Sequence, residues 1–501
     1  GPGVFAECTC LQRCMLPDNI RELPRGMFIG CTSLGALNMK WMNIQKIGAE
    51  CFRNNTHDIK PRSMVISMLT YLGPTAFHNN HMYTSINIET ADIEILYKDT
   101  FSGMCNLMSL TLPKKVRLLG DNLCKNCTKL WDIDIPGRVY CIPPSCFENC
   151  HSMKHVTLHC NKVLGTMVIG KHAFKGCAMF LGIVQHNVSF MYHVLKIEGA
   201  IGKIGEGAFA ECNNIREIEV GETVELGKNV FAYCANLQKA TINGSLVPDD
   251  CFQYCTDLKT VTLRNTRMHL GRQAFNWCTA LERVIVDEGN GTVTCTLLAK
   301  AFYHCTALTQ IPHEWKIKKI PSQCFAHCTG LETMLLAQCN NIGPSAFQDS
   351  GVTTMDLTHV TCVQKDAFKN CIGLHTVQFG SNPVKLLDGA FCNTGIVHLK
   401  LPNVSVDKAA YVFARCLKLV SVCYEPTTTT DKIWIGPYMF AMCDKLTSCK
   451  FAENTVGIKS HAFEMCIALL SIRLPAGLTT IETAAFMTCV KLRSVQYDTR
   501  K

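Results

Sequence analysis

Apolar and polar positions along this chain fall into one recurring phrase, Phe-x-x-Cys-x-x-Leu-x-x-Val-x-Val, seen most plainly from Gln273 to Val286. Its marker phenylalanine recurs from Phe28 to Phe486 at twenty positions, and only Cys124 has replaced the ring. Successive markers lie 21 to 27 residues apart, with one step of 35 between Phe174 and Phe209. A fixed period of that size is the signature of a solenoid, in which each repeat buries its apolar face only against its neighbours.

Within each repeat the last apolar positions alternate with polar ones. Val261 and Leu263 are separated by a threonine, and Ile218-Glu-Val220, Val284-Ile-Val286 and Ile472-Arg-Leu474 follow the same rule. Period two is the pattern of a strand buried on one face. Such strands stacked in parallel at about 4.8 Å make a ladder of roughly 90 Å. The expected fold is therefore an α/β-type or mainly β repeat solenoid of about 20 repeats, with one parallel strand per repeat.

Marker rings at equivalent positions, among them Phe209, Phe231, Phe252, Phe275, Phe302 and Phe325, are expected to stack as an internal spine. Fifteen of the 32 cysteines stand three residues after a marker, including Cys212, Cys234, Cys255, Cys278, Cys305 and Cys328. Cysteine is small, apolar enough to bury and a weak donor, so this row is expected to support the turn carbonyls of its own loop. Neighbouring repeats hold these side chains parallel, whereas a disulfide needs converging Cβ atoms, so free thiols are expected. Two repeats lose a residue after this slot and carry Gly351 and Gly395, where glycine's access to positive φ would serve the tighter turn.

Residues 28–501 show no Pro/Ser/Gly-rich linker, charge run or low-complexity block and read as one continuous solenoid. Residues 1–27 read as a capping half-repeat behind Gly1-Pro2-Gly3, which looks like a protease-cleavage remnant. After the last apolar run a bare strand edge is expected, to be shielded by a short tail or a partner. The long step holds an insertion at about 185–196, a loop on one face of the stack. The formal charge of +9 is spread thinly over 501 residues, so nucleic acid is not an expected partner. No stretch of 18 uncharged apolar residues is present, so no span within this chain crosses a membrane as a helix.

The phrase Ala462-Phe463-Glu-Met-Cys466-Ile-Ala-Leu469-Leu-Ser-Ile472-Arg-Leu474-Pro475 resembles the BspA-type leucine-rich repeat of bacteria and protists, over residues 20 to 500. The resemblance implies a leucine-rich-repeat horseshoe whose parallel sheet lines its concave side. It also implies a cell-surface or secreted protein that binds matrix or other cells. The repeats around Asn55 and Asn80, which replace the cysteine, depart from the pattern.

Catalytic sets are not convincing. His313-Glu314 lacks the second histidine of a zinc peptidase helix, and Gly199-x-x-Gly202-x-x-Gly205 runs into a repeat turn rather than a phosphate loop. Cys8, Cys10 and Cys14 could supply three thiolates to zinc, and His151, His155 and His159 form a spaced trio; the structural reading of each is preferred. No metal, cofactor or enzymatic activity is expected.

The residues between the inward ones on each strand should face outward. They comprise Asp132, Asp134, Glu217 and Glu219, then Lys239, Arg264 and Arg283, and finally His398, Lys400, Lys450 and Arg473. These residues should line the concave surface, and a concave face acidic in its first half and basic in its second would suit a protein partner of complementary charge; a merely solvated face is the plain alternative. The function expected is recognition of a protein ligand. Many thiols and six scattered Asn-x-Ser/Thr sequons leave a second reading open, an intracellular scaffold in a reducing compartment. A regulatory arm of an enzyme is a third.

Overall fold

The computed structural model describes residues 1–501 except 58–61, 160–165, 186–193, 198, 200, 287–292, 381–382, 403, 405, 407, 426–430 and 498–501, and of Gln185 only the backbone. The insertion expected at 185–196 thus lies mostly outside the described residues. The fold is a parallel β-solenoid of about 19 turns. Among the described residues there is no α-helix, only a short 3-10 turn at Trp41–Asn43.

Two compact units are present, residues 1–244 with 250–258, and residues 245–249 with 259–501. In the first, the expected strands run in parallel through Asp132–Ile135, His155–Leu158 and Gly182–Gln185, and again through Val194–Ile197, Glu217–Val220 and Lys239–Ile242. In the second, Thr260–Leu263 pairs Arg283–Val286, Thr354–Leu357 pairs Thr376–Phe379, and five strands from His398–Leu401 to Ser494–Tyr497 form one sheet. A second ladder accompanies this one. Its strands are as short as Cys141–Ile142 or Lys319–Ile320, too short for a two-residue period to announce them.

Packing follows the marker. Phe5, not counted among the markers, stacks on Phe28 at 5.3 Å and opens a ring column that runs to Phe101. Phe209, Phe231 and Phe252 continue with centroids 5.9 and 5.5 Å apart. In the second unit Phe275, Phe302 and Phe325 stack at 5.3 and 5.5 Å, and the column reaches Phe486. Apart from the end rings Phe5 and Phe486, which are half-buried, each such ring is fully buried, which stabilises the fold by about 1.5–3 kcal/mol.

Among the described residues no cysteine takes part in a disulfide. The thiols of the cysteine row do not serve their own loop, the expectation from sequence, but reach back one turn. Cys328 Sγ donates to the carbonyl of Phe302 at 3.0 Å, Cys234 to Phe209 at 3.1 Å and Cys371 to Phe347 at 2.9 Å. The reason is that the loop's own marker carbonyl is already taken by the cysteine backbone, as where Cys328 N–H donates to Phe325 at 3.3 Å. Where a cysteine follows, the marker carbonyl so fills both lone pairs, one from its own turn and one from the next. Asn80 does the same by another route, its amide donating to Phe52 at 3.2 Å. Phe77, followed by Met104, and Phe368, followed by a Thr394 that bonds its own Phe391, are exceptions.

Gly351 and Gly395 also differ from expectation, since neither has positive φ. A Cβ at Gly351 would strike the carbonyl of Thr329, and one at Gly395 that of Ile372. Glycine is needed for close approach of neighbouring turns rather than for a left-handed backbone. The left-handed slot two residues after the marker is filled by ordinary residues, including Trp277, His304 and His327 at φ 60, 59 and 62. Their rings stack at 4.0 and 4.4 Å along the turn surface, offsetting part of the strain.

Two outcomes follow. Phe368→Ala, within a column where its ring lies 5.1 and 5.0 Å from those of Phe347 and Phe391, should cost about 3–5 kcal/mol in urea unfolding; a cost under about 1 kcal/mol would deny the column its role. Burial pushes the Cys234, Cys328 and Cys371 thiols up to about 12 from an ordinary 9.0. The folded chain then holds protons that the unfolded chain loses, so this stability is complete below about pH 9 and drains away between about 9 and 12. Urea midpoints should be level to about pH 8 and fall steadily beyond about pH 9; a flat profile to about pH 11 contradicts the assignment.

Candidate functional site

The strands of the long ladder bury alternate residues, so their first and third positions form two outward rows. Arg283–Val286 and His398–Leu401 both show the exposed, buried, exposed, buried order. Asp132, Asp134, Glu217, Lys239, Arg283, His398, Lys400, Lys450 and Arg473 all occupy these rows and are exposed, and Glu219 is half-buried there. Arg264 is exposed but follows the last residue of Thr260–Leu263 and lies off the rows.

In the first unit the acidic residues fall into two settings. Asp132 and Asp134 lie in register with His155 and Thr157. Glu217 lies beside Lys239, and Glu219 is 3.9 Å from Lys196, so cations temper that pair. In the second unit the third-position row reads Lys400, Cys423, Lys450, Arg473, Gln496 across five strands in register. The first-position row beside it reads His398, Ser421, Ser448, Ser471, Ser494, with His398 Nδ1 2.8 Å from Ser421 Oγ. No carboxylate stands on either row of this sheet.

Charges on the short ladder behave differently. Lys46 and Glu22 are register partners bonded at 2.7 Å, as are Lys203 and Glu225 at 2.8 Å. Lys459 reaches Glu482 at 2.7 Å, which holds that carboxyl below its usual range. Exposed pairs of this kind contribute little stability, and they neutralise only part of the short ladder, since Lys319 and Lys385 lie in register with Asn341 and Cys362 rather than with a carboxylate. Lys400 and Lys450 have no ion pair among the described residues.

The long ladder also opens in the second unit. Arg283–Val286 pairs Thr260–Leu263 on one side, while on the other a single bridge joins Arg283 to Gln310. Beyond it Ile311-Pro312-His313 and Thr333–Leu336 form no strand, and pairing resumes only at Thr354–Leu357. The gap is a cleft of about 480 Å³ on the outward face, with Arg283, Ile285, Leu335 and Asp356 among its walls. Sequence reading missed this cleft, though its signal was present. Pro312 and His313 take the places where other repeats have an N–H donor and an inward apolar residue.

Other candidates resolve into architecture. Gly202 lies within the strand Ile201–Ile204, and Gly205 donates to the Ile169 carbonyl at 2.7 Å while pressed against the preceding turn. His313 is 3.3 Å from Glu314 at the surface, and His151 Nδ1 lies 2.9 Å from the Gly176 carbonyl. Cys8 and Cys10 are exposed and Cys14 is half-buried. Among the described residues no group of three or more histidine, cysteine or acidic side chains is placed to hold a metal ion, and no helix is long and apolar enough to cross a membrane.

Among solved structures, a leucine-rich repeat protein from Bacteroides ovatus is similar at 18% identity and a TM-score of 0.49, over 76% of this chain and 86% of that one. A leucine rich cell surface protein from Faecalibacterium prausnitzii is similar at 22% identity and a TM-score of 0.32, over 62% and 88%. A leucine-rich repeat protein from Eubacterium ventriosum shows 13% identity and a TM-score of 0.33, over 68% and 83%. No curated protein matches the chain. The model of the BspA type leucine rich repeat region matches in six copies, at residues 1–91, 70–193, 186–294, 245–372, 295–420 and 409–500. With its repeats matched almost from end to end, this chain belongs to the BspA-type leucine-rich repeat family.

Proposed function

We propose that this chain is a recognition protein, acting without catalysis at a cell surface or after secretion, and that it binds a protein partner on the outward face of its long-strand ladder. The observation that carries this is the cation row on the long ladder of the second unit. On the short ladder of the first unit, Lys46 and Lys203 are each paired with a glutamate in register. On the long one, Lys400, Lys450 and Arg473 stand in one row with hydroxyl side chains beside them and no carboxylate. Lys400 and Lys450, two strands apart in that row, have no ion pair among the described residues, and acidic groups of a partner would meet them there. The acidic side chains of Asp132 and Asp134 give the first unit the opposite preference. The family membership supports a binding rather than a catalytic role.

The face is tested with a photo-crosslinking residue placed singly at Lys400, Lys450 or Asp134, and as controls at Tyr233 or Tyr411 on the turn surface, in the cells that make the protein. One discrete adduct from the outward positions, absent from the turn positions, is expected. Adducts from the turn alone would refute the assignment. A Lys400→Glu/Lys450→Glu variant should weaken that association by about tenfold at low salt, and less as ionic strength rises.

Location is tested separately. A membrane-impermeant amine label applied to intact cells, or recovery from the medium, should find the protein outside. Labelling only after lysis would favour the intracellular scaffold.

A further inference from the structure

The cleft in the long ladder carries a more specific reading. In the regular turns the first-position N–H donates to the carbonyl preceding the previous strand, as Arg283 does to Lys259 at 3.3 Å, and the fifth-position N–H donates to the fourth carbonyl, as Glu425 does to Leu401 at 2.9 Å. By the alternation of a parallel ladder, the third-position N–H serves the second-position carbonyl. Opposite Arg283–Val286 that third position is Pro312, which has no N–H. His313 then falls where an apolar side chain would anchor the strand inward, and it is exposed instead. The strand cannot form, and the edge of Arg283–Val286 stays open past its first rung.

Three features of the opening point to one occupant. Past the Gln310 rung the open edge is three residues, about 10 Å long, which matches a short extended segment. Ile285 and Leu335 present exposed apolar surface at the opening, 43% and 70% accessible, enough to seat one apolar side chain. Arg283, on the wall, has no ion pair among the described residues. A cleft of about 480 Å³ lies within the size range of ligand pockets.

We propose that this cleft takes an extended peptide segment of a partner protein, which adds in parallel to the open edge of Arg283–Val286. A backbone N–H of the segment supplies the Val284 carbonyl with the donor that Pro312 lacks. An apolar side chain of the segment lies between Ile285 and Leu335, and an acidic one on its N-terminal side meets Arg283. Such strand addition draws affinity from main-chain hydrogen bonds and specificity from alternate side chains. The inference rests on the outward face being the recognition surface and names the chemistry of what one part of it holds.

The probe is a capped pentapeptide, acetyl-Thr-Asp-Thr-Val-Thr-amide, carrying a fluorophore and titrated with the full chain by polarisation. Saturable binding is expected. It should weaken about tenfold when the valine nitrogen is methylated, because one backbone hydrogen bond is lost, and by a similar factor when lysine replaces aspartate. An Arg283→Glu variant should prefer the lysine peptide. A Pro312→Thr/His313→Leu variant restores both a donor and an inward anchor, so the ladder should close and binding should vanish. Absence of binding, or equal binding of the methylated peptide, overturns the proposal. If the closed variant fails to fold, the methylated peptide and Arg283→Glu still decide the matter. Crosslinks from Lys400 and Lys450 that persist while the peptide fails would overturn the cleft alone and leave the face intact.

Discussion

Most turns of this solenoid are tied together by the carbonyl of the marker residue accepting two donors, one from its own turn and one from the next. The backbone of the cysteine slot fills the first lone pair and the thiol of the following turn fills the second, as at Phe302 with Cys305 N–H at 3.2 Å and Cys328 Sγ at 3.0 Å. A buried carbonyl with an unused lone pair would cost free energy at every turn. Where it occurs, the arrangement fixes the register of a turn on its neighbour, and among the described residues no α-helix or disulfide takes part. It also explains why so many thiols are buried and held neutral.

A fixed register has a consequence for the surface. Equivalent positions fall into line, and any choice made repeatedly by the sequence becomes a row. At two places on the short ladder of the first unit, lysine and glutamate fall side by side and cancel. On the five strands from His398–Leu401 to Ser494–Tyr497 they do not, and a band of cations beside a band of hydroxyls results. A globular fold would need many separate contacts to build such a band; here, one register accomplishes it.

The same economy makes a single departure conspicuous. Proline at one third-position slot removes a donor that the preceding turn relies on, and histidine at the next slot removes an anchor. Trp315 becomes buried just beyond them, its ring 6.4 Å from Phe302, so the core is resealed while the sheet is left open. The cost of the interruption falls on strand pairing, on the face where a partner strand can make it good.

The sequence by itself determined the parallel stacking, the ring column and the alternation that turns Lys400, Lys450 and Arg473 outward, because a repeated local pattern has only one way to bury its apolar side. Even the residues responsible for the cleft, Pro312 and His313, were legible as exceptions. Tertiary structure alone decided which neighbour each group serves. Cys328 answers to Phe302 rather than to its own loop, Gly351 is glycine because of Thr329 one turn away, and Glu22 is neutralised by Lys46. These are contacts between residues 22 to 26 positions apart. The pattern within one repeat can require a partner at that distance, but only the stacked turns fix which atom meets it.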